Sequence, residues 1–236
     1  MSNEGPLNVQ DLLVVEEHLS PERLGPYMDR CGHDITAALG LYRWNSTVSA
    51  AFSICLGHVE VLLRNAAHRE LSRLVPSTER WYVTLASTLD TKAREDIAKA
   101  QERATRGGRP ETPGKVVAEL NFGFWRYLLT PKYHPTLWVP GLRRCMPHAN
   151  AKLKEISTTV GRVYALRNRI AHHEPIHHQH LARLHDDARK IAGWIAPVPA
   201  TWIERYCLVD RIIAQKPGSA ADSPRTSTPA QVADLQ

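Results

Sequence analysis

The apolar residues of this chain recur at steps of three and four over most of its length, the spacing that gathers them on one side of an α-helix. From Thr47 to Val75 the stripe Val48, Phe52, Cys55, Val59, Leu62, Ala66, Leu74 meets no proline until Pro76, which predicts one long core helix broken only by the polar pair Arg69-Glu70. Further helical patterns cover about 77–104, 115–129, 148–170, 179–195 and 200–214. The turn GGRPETPG (107–114) ends the first of these and Pro131 the second, because paired Gly and Pro stop helices. Ser20 before Pro21 and Glu22 has the form of an N-cap with proline at the first helical position. The four prolines of TPKYHPTLWVPGLRRCMP (130–147) predict a mostly irregular stretch. β-alternation never lasts more than a few residues. The expected fold is all-α, with an N-terminal extension over 1–19, a helical domain over 20–216 and a small, polar, disordered tail over 217–236.

Composition narrows the partners. With 43% hydrophobic and 23% charged residues, most of the 236-residue chain can bury a core. No apolar run in the letters approaches the roughly 18–20 residues expected of a membrane span. MSNEGPLNVQ lacks the basic start and apolar stretch of a signal peptide. The four cysteines (Cys31, Cys55, Cys145, Cys207) are scattered, which argues against a disulfide framework or a cysteine-rich zinc site and fits a reducing cytoplasm. A net charge of +6 and a pI near 9.3 favour polyanions such as nucleic acid.

The chemistry concentrates at RNRIAHHEPIHHQH (167–180), which holds five of the twelve histidines. Two motifs overlap there. His173-Glu174-Pro175-Ile176-His177 has the letters of H-E-x-x-H, a zinc motif that works only when one helical turn puts both imidazoles on one face. Pro175 disfavours helix at Glu174 and removes a backbone donor, so that geometry is not expected. Metal binding by loop histidines, with His178, His180 or His185 as third ligand, would instead make a metal-dependent hydrolase.

Arg167 to His172 has the form R-x4-H, the residue types of metal-free RNA cleavage. There a 2′-OH attacks the adjacent phosphate, which calls for a proton acceptor, a proton donor and a cation on the phosphate oxygens. Arg167 lies in the middle of the apolar stripe of its helix, between Val163 and Ile170, where it must pair, snorkel or face an anion. Asn168 and His172 share a face, and His172 sits in the last turn, where the helix dipole favours a cation. On an ideal helix Arg167 and His172 point about 140° apart. They converge only if the helix bends or ends between them, or if two chains pool their residues across a two-fold interface.

At this point the chain resembles a known family. LRNRIAHHEPI (166–176) looks like the R-x4-6-H signature of the HEPN superfamily, in the form carried by bacterial Abi-like (abortive-infection) proteins. YRWNSTVSAAFSICLGHVEVLLRNA (42–66) and KVVAELNFGFWRYLL (115–129) resemble two further blocks of that family, in consistent order over about 20–215. The resemblance implies a HEPN-like helical bundle with additional helices, usually dimeric, and a metal-independent endoribonuclease acting as a toxin or anti-phage effector. It implies RNA as substrate, with tRNA and mRNA both open, no cofactor, and a cognate antitoxin as a possible partner. It maps the catalytic centre onto Arg167, Asn168 and His172, with His173 in support. Some members have lost catalysis, so the alternative is a non-catalytic RNA-binding or regulatory module of the same fold.

Other residues carry two readings each. Glu60 and Arg64 form either an i,i+4 ion pair worth about 0.3 kcal/mol or, with Asn65, a set that orients the motif or RNA. Arg143 and Arg144, beside Trp138, are candidates for phosphate contact, and Lys152, Lys154 and Arg162 for a basic rim. Phe122, Phe124, Trp125 and Tyr127 read as core rather than as a base-stacking platform. Arg64-Asn65-Ala66-Ala67-His68 echoes the motif by coincidence.

Overall fold

The long apolar stripe belongs to a longer helix than its spacing predicts. In the computed structural model, which describes residues 8–218, α1 (Val9–Leu19) and α2 (Pro21–Arg30) lead into α3 (Ile35–Ser72), a helix of 38 residues. Asp34 sets its start by accepting the N–H groups of Thr36 and Ala37 at 2.8 and 3.1 Å. Ser20 caps α2, as expected, by accepting the Arg23 N–H at 3.3 Å. At 1.5 Å per residue α3 spans about 57 Å and forms the axis of the molecule. Val48, Phe52, Leu56, Val59 and Leu63 along it are fully buried. One stretch of α3 is long and apolar enough to cross a membrane by length and composition, with mean hydropathy 1.5, which corrects the reading that no such run exists. Its apolar stripe is covered here by other helices of the same chain.

The remaining elements are α4 (Trp81–Thr84), α5 (Thr91–Thr105), α6 (Pro113–Glu119), α7 (Phe122–Leu128), α8 (Leu153–Ala171), α9 (Leu181–Ile195), α10 (Pro197–Tyr206) and α11 (Val209–Ile213). No strand occurs among the described residues, and the fold is all-α. Helices α2, α7, α8, α9 and α11 pack against α3. The stretch expected to be one helix over 115–129 is two, because Asn121 leaves helical backbone and its side chain caps α7 at the Phe124 N–H, 3.0 Å away. Phe122, Phe124 and Trp125 are core, each about 1% exposed. The proline-rich 130–147 is less irregular than expected and holds short helical turns at 131–133, 134–138 and 142–145. The polar break at Arg69-Glu70 has a structural cause. Glu70 is 2% exposed and accepts from Arg73 at 2.6 Å, Arg144 at 3.2 Å and Arg69 at 3.4 Å. Burial opposes its charge, but the three guanidinium groups prevail and hold its pKa below the usual value. The N-terminal extension is helical from Val9 onward, and of the expected disordered tail residues 219–236 lie outside the described residues.

Candidate active site

The motif helix α8 buries Leu153, Ile156, Val160, Val163 and Leu166, and the next residue on that stripe is Arg167. Its guanidinium escapes burial by reaching across to α3, where its Nε lies 3.6 Å from a carboxylate oxygen of Glu60. Glu60 therefore turns to the motif arginine rather than along its own helix to Arg64. Arg64 is half-buried, with its Nε lacking a partner.

The way α8 ends decides which histidine accompanies Arg167. The helix stops at Ala171 with His172 as C-cap, and His173 takes left-handed backbone at φ 56°. The His173 N–H donates to Ile170 O at 3.0 Å and the Glu174 N–H to Arg169 O at 2.8 Å, the paired bonds of a Schellman stop. Glycine usually fills this place. A histidine there carries a strain of about 1 kcal/mol, which persists only when the surroundings hold it. They do. Arg23 on α2 donates to His173 O at 2.6 Å, and the buried Asn45 on α3 accepts the Ile176 N–H at 2.8 Å. Arg169 donates to Pro175 O at 3.2 Å.

This turn carries His173 round to the side of Arg167. Both line a cleft of about 550 Å³ between α2, α3 and α8, together with Glu60, Tyr27 and Tyr42. Ser46, Ser49 and Ser53 bring hydroxyls to its α3 wall, and Ala50 and Gly57 leave it room. Burial, with Tyr42 beside it, raises the Tyr27 pKa to about 12, so its hydroxyl keeps its proton at ordinary pH. The separation of about 140° between Arg167 and His172 on the wheel is thus resolved by the helix ending, but in favour of the neighbouring residue, His173. His172 is exposed and outside the cleft lining. Asn168 is half-buried on α8 and also outside it, its carbonyl accepting the His172 N–H at 3.0 Å.

Other expected site residues are not gathered here. Arg144 serves the buried Glu70, ten residues or about 15 Å further along α3, and Arg143 stands beside it in the same short turn. Asn65 is exposed outside the cleft. Arg162, expected on a basic rim, makes a two-pronged pair with Asp187 at 2.6 and 2.7 Å. His68, in the echo of the motif, accepts the Trp81 indole N–H at 2.9 Å, a structural role.

The H-E-x-x-H letters do not form a helical face. His173 is left-handed, and Glu174 pairs with Arg169 at 3.4 Å. His177 is 5% exposed against the Tyr27 ring, with its Nδ1 unpartnered. Burial, aided by His178, Lys216 and Arg30, pushes the His177 pKa down to about 4, which keeps this imidazole neutral. His185, considered as a third ligand for that motif, instead meets Cys55 and Cys207 on another face of α3. Two of the cysteines that look scattered in the sequence thus come together in space.

Arg23, Tyr27, Tyr42 and Asn45 were not legible as site residues. The faint signal is Asn45 in the Trp-Asn pair of the 42–66 block, and the spacing of Ser46, Ser49 and Ser53 at three and four residues. Comparison with models of known protein families, with curated proteins and with solved structures finds no match to this chain.

Proposed function

We propose that this chain is a metal-independent endoribonuclease of the HEPN, Abi-like type, acting in the cytoplasm as a toxin or anti-phage effector. One observation carries the reading: Arg167 and His173 face one cleft, with Glu60 bracing the arginine. In that cleft the His173 imidazole takes the proton of an RNA 2′-OH as it attacks the neighbouring phosphorus. Arg167 swings from Glu60 onto the non-bridging oxygens as their charge builds. The P–O5′ bond breaks, a second acid protonates the leaving oxygen, and the products end in a 2′,3′-cyclic phosphate and a 5′-OH. Ser49 and Ser53 on the α3 wall would hydrogen-bond the strand. The second acid is an imidazole from a second copy of the chain, which fits the homodimer implied by the resemblance. The net charge of +6 suits an RNA substrate, tRNA or mRNA, and a cognate antitoxin would cover this cleft.

The test is cleavage of total tRNA and of a defined single-stranded RNA in excess EDTA, with helicity followed in the same buffer by circular dichroism. Wild type would run beside Arg167→Ala, His172→Ala and His173→Ala. Cyclic-phosphate ends from wild type alone, lost with Arg167→Ala and His173→Ala, are the expected result. Cleavage that survives both substitutions would sink the proposal. A second reading, RNA binding without cleavage, draws on the single imidazole in the cleft and on the Glu60 charge that already answers Arg167. It predicts RNA retained intact and insensitive to His173→Ala.

A further inference from the structure

The face of α3 turned away from the cleft carries a different set of groups. At 100° per residue, Cys55 projects about 160° away from Ser53, which lines the cleft. There the Cys55 sulfur, a ring nitrogen of His185 on α9 and the Cys207 sulfur between α10 and α11 all lie within 4.8 Å of one another. Cys55 and His185 are 3% and 2% exposed. His185 Nε2 is 3.2 Å from Cys207 Sγ, and Nδ1 of the same ring is 2.7 Å from Asp210 Oδ1. The other oxygen of Asp210 accepts from Arg189 at 2.9 Å. A cavity of about 70 Å³ opens beside the sulfurs, lined also by His58, Trp202 and Tyr206.

We propose that Cys55, His185 and Cys207 form a zinc site that clamps α9 and the α10–α11 turn onto α3. Zinc takes thiolate and imidazole donors in tetrahedral array, at about 2.3 Å for sulfur and 2.0 Å for nitrogen, which sets neighbouring ligand atoms about 3.5–3.8 Å apart. The three atoms here are already gathered to that scale, from positions 55, 185 and 207. Asp210 holds the imidazole by its Nδ1–H, which leaves the Nε2 lone pair facing the sulfurs. This carboxylate–histidine arrangement orients a metal-binding ring. Two thiolates neutralise the divalent ion, so the buried site carries no uncompensated charge. The cavity beside the two cysteines has room for a water molecule as a fourth ligand. A Cys55–Cys207 disulfide fits less well, because it would take away the sulfur partner of a nitrogen on a ring only 2% exposed. The cluster shares no residue with the Arg167 cleft, so this inference is independent of the ribonuclease reading.

The test uses the full chain, reduced with a phosphine, stripped with a chelator and titrated with Co²⁺ and then Zn²⁺. Wild type should take one ion per chain and show thiolate-to-cobalt charge-transfer absorption with the intense visible bands of a tetrahedral ion. Zinc should abolish both and raise the thermal midpoint. Cys31→Ser should titrate like wild type, and Asp210→Asn should bind about 10- to 100-fold more weakly, as loss of an orienting carboxylate does. Cys207→Ser should lose most of the charge-transfer band. If that variant fails to fold, the wild-type cobalt spectrum still reports thiolate ligation. Three results would overturn the site: no uptake by reduced wild type, cobalt bound without the charge-transfer band (as by the 172–180 histidines), or a Cys55–Cys207 disulfide with no metal.

Discussion

Two histidine neighbourhoods in this protein have opposite histories in the sequence. The stretch 172–180 crowds five histidines together and spells a metal motif, yet its side chains scatter. His173 lines a cleft, His177 is buried neutral against Tyr27, and His172, exposed like His173, lies outside that cleft. His185 sits apart from that crowd and converges with two cysteines from distant parts of the chain. Ligand atoms meet where backbones cross, and adjacency along the chain helps only when a regular element aligns the side chains. Proline and a left-handed residue destroy that alignment at 173–175.

The sharpest test of the contrast lies between the neighbours His172 and His173. His173→Ala is expected to lower RNA cleavage by about 10²- to 10⁴-fold, the range of a lost general base, while His172→Ala costs less than about tenfold. Single-turnover rates on a short RNA would check both, and the reverse ranking would return the chemistry to the C-cap histidine.

Next comes His177. Its folded pKa, near 4, lies below the unfolded value of 6.5, so the unfolded chain binds more protons between those limits. Stability is therefore complete above about pH 6.5 and is lost as pH falls towards 4, by on the order of 2–3 kcal/mol. Urea unfolding across that window should show the loss in wild type and a much flatter profile in His177→Phe.

A smaller effect is expected at Asn45, which ties the turn after the motif to α3 through the Ile176 N–H. Asn45→Ala leaves a buried donor unmet and should cost about 1–3 kcal/mol. Faster amide exchange should appear at Ile176 before it appears in the core of α8.

The smallest effect has the opposite sign. His173→Gly relieves the left-handed backbone and should stabilise the fold by about 0.5–1 kcal/mol while abolishing cleavage. Thermal unfolding beside the RNA assay would read both. A destabilised His173→Gly would mean that the imidazole itself holds the turn.

How far the sequence could be read follows from the range of the forces involved. The apolar steps from Val48 to Leu74 and from Leu153 to Ile170 foretold two helices, because their stripes reflect the local geometry of the backbone. Their ends were harder. Asp34 starting α3 thirteen residues before Thr47, and Asn121 splitting α6 from α7, each turn on one side chain capping a nearby N–H. The Arg167 position was legible as an anomaly on an apolar face, but Glu60 as its partner was only one of two readings. The clamps that present His173, from Arg23 and Asn45, had no local signal.

The sequence by itself therefore determined the all-helical class, the core stripe of α3 and the site of the candidate chemistry at the end of α8. Those depend on periodicity and on where proline stops a helix, both carried by neighbouring residues. Only the tertiary structure decided that His173 rather than His172 joins Arg167, that Arg144 serves Glu70 instead of an RNA phosphate, and that Cys55, His185 and Cys207 meet. These outcomes depend on which helix faces cross in space, and packing of the whole chain sets that.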